Sequence, residues 1–157
     1  MQTVCVGVTV QLLSGEVRIP VTRQPDALAA LKRLDRDRSD LMTGSRRGDD
    51  NEPVPHWAFV DSDLQAIGIL EAALRAIRFD PVLDRDGNIL GVELAGKSRS
   101  RGDELHLWSA LAPFVESGGR LDWLDETGAV ERWRFDGTRL RVVSGALMFE
   151  DDERLPG

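Results

Sequence analysis

Arg132, Arg134, Arg139 and Arg141 are the side chains best placed to do chemistry, because they alternate on either side of an Asp136-Gly137 turn. In two adjacent extended strands that alternation sets all four guanidiniums on one face. Arginine forks match phosphate and carboxylate oxygens in pairs, so such a face suits phosphate, a nucleic-acid backbone or an acidic partner. Like charges on neighbouring strands also repel, at a cost of roughly a few tenths of a kcal/mol for each directly opposed pair. Asp122, expected opposite Arg132, offsets one of them, and a solvated face held by internal ion pairs is the plainer expectation. Composition favours that outcome: of the 20 basic residues only Lys32 and Lys97 are lysine, the pattern of a GC-rich coding bias. Lys97, Arg99 and Arg101, spaced by serines in a small basic loop, extend the same anion-binding alternative.

Other chemistries are more weakly drawn. His56 and His106 are the only histidines. Asp61 and Asp63 follow the first, and Ser62 or Ser109 could be a nucleophile, which sketches a hydrolase centred on His56 and Asp61. No Gly-x-Ser-x-Gly elbow accompanies it, so both histidines are expected to be structural. Asp84, Asp86, Asn88 and Glu93 around Gly87 approach calcium-loop spacing, but Val82 stands where the first oxygen ligand belongs, and a hairpin turn is expected instead. The single Cys5 permits no internal disulfide and no thiolate cluster. Arg-Gly-Asp occurs at 47–49 and 101–103, which chance explains in a chain rich in all three residues. Trp57, Trp108, Trp123 and Trp133 lie on apolar faces and are expected in the core rather than on a stacking platform. No catalytic residue, metal ligand or cofactor is assigned.

A net charge of −7 argues against general binding to nucleic acid or anionic membranes, and favours docking on another protein with a basic surface. Acidic inhibitors of basic proteins gain speed of encounter from such a balance. The expected function is therefore a non-enzymatic protein-binding domain, of the kind an inhibitor, immunity protein or accessory factor provides. Its expected contact residues are Asp35, Asp37, Asp40, Asp49, Asp50 and Glu52, with Glu150, Asp151 and Asp152 near the other end of the chain. Residues 1–10 lack a basic start, and no stretch approaches the ~20 apolar residues of a membrane helix, so a soluble, cytoplasmic chain is expected.

The elements that must position these groups follow from periodicity. With 157 residues, 41% of them hydrophobic, the chain is expected to form one domain over 1–150 and an acidic tail over 151–157. A strand over 3–13 should turn at Ser14-Gly15 into a partner over 16–21. Pro25 opens a helix to about residue 35 through Ala27, Leu28, Leu31 and Leu34. Residues 36–55 read as a long exposed loop. A strand over 56–60 precedes a helix from Asp61 or Ser62 to Arg78, with Leu64, Ile67, Leu70, Leu74 and Ile77 on one face. Strands over 79–83 and 89–94 flank a turn, and a helix over 103–112 is loosened by Pro113 before Gly118-Gly119 ends it.

From Arg120 the pattern is an antiparallel meander. A bulged three-residue loop at Asp125 to Gly128 sets Leu121 opposite Trp133 and Trp123 opposite Glu131. A two-residue Asp-Gly turn then sets Trp133 opposite Leu140 and Arg132 opposite Arg141. One more strand is expected near 146–149. The order is β-β-α-β-α-β-β-α-β-β-β, an α+β fold with about three helices on one face of a mainly antiparallel sheet.

Asp86-Gly87-Asn88-Ile89, the run from Ala110 to Glu116, Trp123, Glu126, Gly128 and the run from Trp133 to Gly137 together resemble a group of small uncharacterised bacterial and mobile-element proteins. The resemblance covers the second half of the chain. It implies a shared helix-to-meander fold and brings no activity with it.

Overall fold

The structure, a computed structural model, describes residues 8–60, 62–96 and 98–145. In chain order they form β1 (Thr9–Glu16), α1 (Gln24–Asp37), β2 (Gly44–Arg47), β3 (Pro53–His56), α2 (Leu70–Ala76), β4 (Phe79–Leu83), β5 (Ile89–Leu94), β6 (Arg99–Ser100), α3 (Glu104–Leu111), β7 (Arg120–Asp125), β8 (Val130–Phe135) and β9 (Leu140–Gly145). The fold is α+β. An antiparallel sheet of order β6-β1-β7-β8-β9 is joined by two separate hairpins, β2-β3 and β4-β5. The expected strand at 146–149, the tail at 151–157 and positions 3–7 lie outside the described residues.

The first meander hairpin has the expected register, with Leu121 opposite Trp133 and Trp123 opposite Glu131. Gly128 takes a φ of 89°, and the Asp125 carboxylate accepts the amides of Thr127 and Ala129. The second hairpin is shifted by two residues from expectation: Phe135 faces Leu140, Trp133 faces Val142 and Arg134 faces Arg141. Its loop is longer than two residues because Asp136 accepts the amides of Thr138 and Arg139, an Asx-type turn that uses the side chain where a type I′ turn uses backbone. A shift of two preserves which face each side chain takes. Arg139 is thereby moved off the strand and into the turn.

Four other expectations are corrected. Ser14-Gly15 is no turn: β1 runs on to Glu16 against β7, with an irregularity between Leu12 and Ser14, and 16–21 forms no partner strand. Gly15 instead allows β5 to cross closely, since an added Cβ would run into the Val92 carbonyl. Residues 36–55 are exposed but ordered around the β2-β3 hairpin, and His56 ends β3, so 56–60 is a turn that delivers Trp57 to the core. The long helix is broken into a 3-10 turn at Leu64–Ala66 and α2, with Ile67 and Ile69 extended around Gly68. Its apolar spacing is satisfied by two pieces packed separately, the first tied to α1 by Gln65 donating to the Lys32 carbonyl at 2.8 Å.

The core is a chain of aromatic edges. Phe79 of β4 meets Trp108 of α3 at 5.3 Å and Trp123 of β7 at 6.1 Å, both edge-on, while Trp108 meets Phe135 at 6.0 Å and Trp123 meets Trp133 at 5.1 Å. Such pairs add roughly 0.5–1.5 kcal/mol each beyond their buried area. They bolt α3 and the β4-β5 hairpin to the inner face of the meander.

The crossing of β1 and β5 yields a stability prediction. Gly15→Ala drives a methyl into the Val92 carbonyl, and Gly91→Ala puts one 2.7 Å from the Gly15 carbonyl, whereas nothing lies within 4 Å of a Cβ at Gly145. Urea denaturation should show the first two destabilised by roughly 1–3 kcal/mol and Gly145→Ala near neutral. A second prediction concerns acid. Asp84 is held below the ordinary carboxylate value by Asn88, Asp125 by Thr127, and Asp136 by the amides of Arg139 and Thr138. With folded values depressed, their stabilisation is full above the unfolded value near about 4 and is lost as pH falls through the lower folded values. The urea midpoint should therefore fall below about pH 4, and less steeply in Asp125→Asn.

Candidate functional site

The meander's outer face carries the arginines, but the register arranges them differently from the alternation alone. Leu121, Trp123, Trp133 and Phe135 point inward and are buried, so Arg120, Asp122, Arg132 and Arg134 point outward. Arg120 faces Arg134 across β7 and β8, and Arg134 faces Arg141 across β8 and β9. Three guanidiniums thus stand in one cross-strand row, which Glu16, opposite Arg120 on β1, extends. Arg120 was not singled out from the sequence, although its parity with Asp122 on the same strand was a usable signal. Arg139 belongs to the turn and not to the row.

The row borders a groove of about 450 Å³ between the Ser117-Gly118-Gly119 turn and the second hairpin, lined also by Arg132, Phe135 and Asp136. Its charges are unevenly matched. Asp122, buried to 8% exposure, takes Arg132 in a two-pronged bond, Nε to Oδ1 at 2.7 Å and Nη2 to Oδ2 at 3.0 Å, which raises the Arg132 pKa. Arg120 lies between Asp122 and Glu16, 3.6 Å from each, and its buried Nε has no hydrogen-bond partner. Arg141 lies 3.6 Å from Asp136. Arg134, in the middle, has no ion pair among the described residues, since the acids stand at the two ends of the row and beside it. Opposed like charges destabilise a sheet, so this row costs fold stability.

Of the expected acidic contact residues among the described ones, Asp35 is part-buried and the rest stay exposed. Asp35 is structural: it accepts Trp57 Nε1 at 2.9 Å and Gln65 Nε2 at 2.7 Å. Asp37 pairs with Arg36 and Asp40 with Arg38, which lowers both carboxyl pKa values. Asp50 caps the β2-β3 turn by accepting the Glu52 amide, and Asp49 and Glu52 are exposed. Glu150, Asp151 and Asp152 lie outside the described residues, as do Cys5, Asp61 and Lys97. His56 Nε2 contacts the Val60 carbonyl at 2.9 Å, and among the described residues no hydrogen bond joins a serine hydroxyl to either histidine. Asp84 spends its carboxylate on the turn amides of Asp86 and Asn88. Among the described residues no three His, Cys, Asp or Glu side chains converge as metal ligands, and no helix is long and apolar enough to cross a membrane.

Residues 99–104 overturn the idea of an exposed basic loop. Arg99 and Glu104 form an ion pair at 3.2 Å with side chains 8% and 0% exposed, and Arg99 also donates to the Ile77 carbonyl and lies over Phe59 and Phe79. Arg101 lies over Trp123 and Trp133 at 4.9 and 5.1 Å, with Glu131 3.8 Å away; burial lowers its pKa against the pull of Glu131 and Glu104. Asp103 accepts the Thr43 amide and hydroxyl and the Ala58 amide. Arg99 and Arg101 are therefore structural, and the sign of it in the sequence was the run of alternating charge Arg-Ser-Arg-Gly-Asp-Glu at a helix start.

Glu104→Gln would leave Arg99 charged and unpaired in the interior. Chemical denaturation should show a loss on the order of 3–5 kcal/mol, while Asp37→Asn, which breaks an exposed pair, should leave the midpoint almost unmoved.

No family model, no curated protein and no solved structure matches the chain.

Proposed function

We propose that the protein is a non-enzymatic binding domain that grips an anionic group in the groove between the Ser117 to Gly119 turn and the arginine row. The observation that carries this is Arg134, set in register between Arg120 and Arg141 with no acid of its own among the described residues. A merely solvated face would be more stable with that row interrupted, and an incoming anion relieves the repulsion that the row creates.

The rest of the molecule narrows the kind of ligand. With a net charge of −7, the chain repels a long polyanion while its groove attracts a compact negative group locally. Extended nucleic acid fits poorly on those grounds. Docking on a basic protein in the manner of an inhibitor or accessory factor is the second reading; it would use the exposed Asp37, Asp40, Asp49, Asp50 and Glu52 and not Asp35, whose carboxylate is taken by Trp57 and Gln65. An accessory or inhibitory role remains the natural class for such a domain, exercised through a partner's anionic group.

Titration with inorganic phosphate at low ionic strength, followed by amide shifts, tests this. The natural chain should show saturable shifts at Gly118, Gly119 and the β8-β9 strands, weakening as salt rises. Arg134→Ser combined with Arg141→Ser should reduce affinity by about tenfold or more, while the thermal midpoint stays level or rises because like charges have been removed. Unchanged phosphate shifts in that variant would sink the proposal.

A further inference from the structure

We infer that the group recognised by the row is the terminal, dianionic phosphate of a monoester, and this rests on the anion-binding function proposed above. In and beside the groove stand five guanidiniums, Arg120, Arg132, Arg134, Arg139 and Arg141, against the three carboxylates Asp122, Asp136 and Glu16, an excess of two positive charges. A monoester phosphate carries about −1.5 to −2 at neutral pH and matches that excess; a diester or a carboxylate carries a single charge and leaves part of it uncompensated.

Geometry points the same way. Asp122 occupies Nε and Nη2 of Arg132 and holds that fork aside. Arg120, Arg134 and Arg141 come from three adjacent strands, whose spacing of about 4.8 Å lets long side chains converge on one small group. A monoester offers three terminal oxygens, one for each guanidinium, and a diester offers two.

The charge state of the ligand then controls binding. The charged groups that line the groove are Arg120 from β7, Arg132 and Arg134 from β8, Arg141 from β9 and Asp136 from the turn, and beside them stand Asp122, Glu16 and Arg139. None is a histidine, and Asp136 is held below the ordinary carboxylate value by the amides of Arg139 and Thr138, so it keeps its charge from mildly acidic to neutral pH.

The experiment is calorimetric or amide-shift titration of the full chain with methyl phosphate and with dimethyl phosphate between about pH 5 and 7.5, spanning the monoester's second ionisation near 6. Methyl phosphate should tighten severalfold as that proton leaves, should bind about tenfold better than dimethyl phosphate at the upper end, and should lose its binding in Arg134→Ser. Equal binding of the two esters, or a pH-independent affinity for methyl phosphate, overturns the inference while leaving an anion groove in place. Binding of neither ester, with no response to inorganic phosphate, overturns both. A phosphoserine peptide and β-glycerophosphate as further probes assign the source: tighter binding of the peptide marks a phosphorylated protein segment, and tighter binding of the small ester marks a free metabolite phosphate.

Discussion

Everything in this fold is tied to the buried segment from Arg99 to Glu104. Its backbone and charged side chains hold together parts that are far apart in the chain: the Arg101 amide donates to the Val8 carbonyl beside β1, the Arg99 guanidinium reaches the end of α2, Asp103 fastens the β2-β3 hairpin, and Glu104 begins α3. Burying ions is costly unless every one is paired, so the segment tolerates only one arrangement of its surroundings. The stacking of Arg101 on Trp123 and Trp133 and of Arg99 on Phe59 and Phe79 supplies part of the compensation, since desolvated cation–π contacts are worth about 2 kcal/mol or more.

That constraint shapes the outer surface as well. The aromatic pair under Arg101 packs β7 and β8 on the inner side of the sheet, opposite the side on which Arg120 and Arg134 stand in register. The buried arginines have acids and aromatic faces beside them, although Arg99 Nε and Arg101 Nη1 are left without hydrogen-bond partners. A protein with acids enough to pair Arg99 and Arg101 inside and to carry a net charge of −7 nevertheless leaves Arg134 among like charges.

Asp122 gives the groove its character. By holding Arg132 through two bonds and standing 3.6 Å from Arg120, it anchors two of the guanidiniums and sets how much positive charge the groove keeps. The histidines and serines that could be drawn into a catalytic sketch are occupied or uncombined among the described residues, and the acidic residues of 35–52 mostly serve neighbouring turns and side chains.

The sequence by itself determined those features that depend on neighbours along the chain. Alternation placed Trp133 and Phe135 inward and Arg132 and Arg134 outward; the Asp125 to Gly128 loop set the first hairpin's register; and Pro25, Pro113 and the Asp84 to Asn88 turn marked element ends as expected. Only the tertiary structure decided what depends on contacts across the chain. Ser14-Gly15 reads locally as a turn and is a crossing point for β5, because Gly serves close approach as well as bending. Leu64 to Ile77 has one helix's spacing and folds as two pieces, because apolar periodicity does not say whether a single surface receives it. Arg99 and Arg101 read as a solvated loop and are buried, since their partners Glu131, Trp123 and Phe79 arrive from other elements. The row of Arg120, Arg134 and Arg141 likewise waited on a two-residue shift set by the Asp136 side chain: alternation chooses a face, and only hydrogen-bonded pairing chooses which charges stand opposite one another.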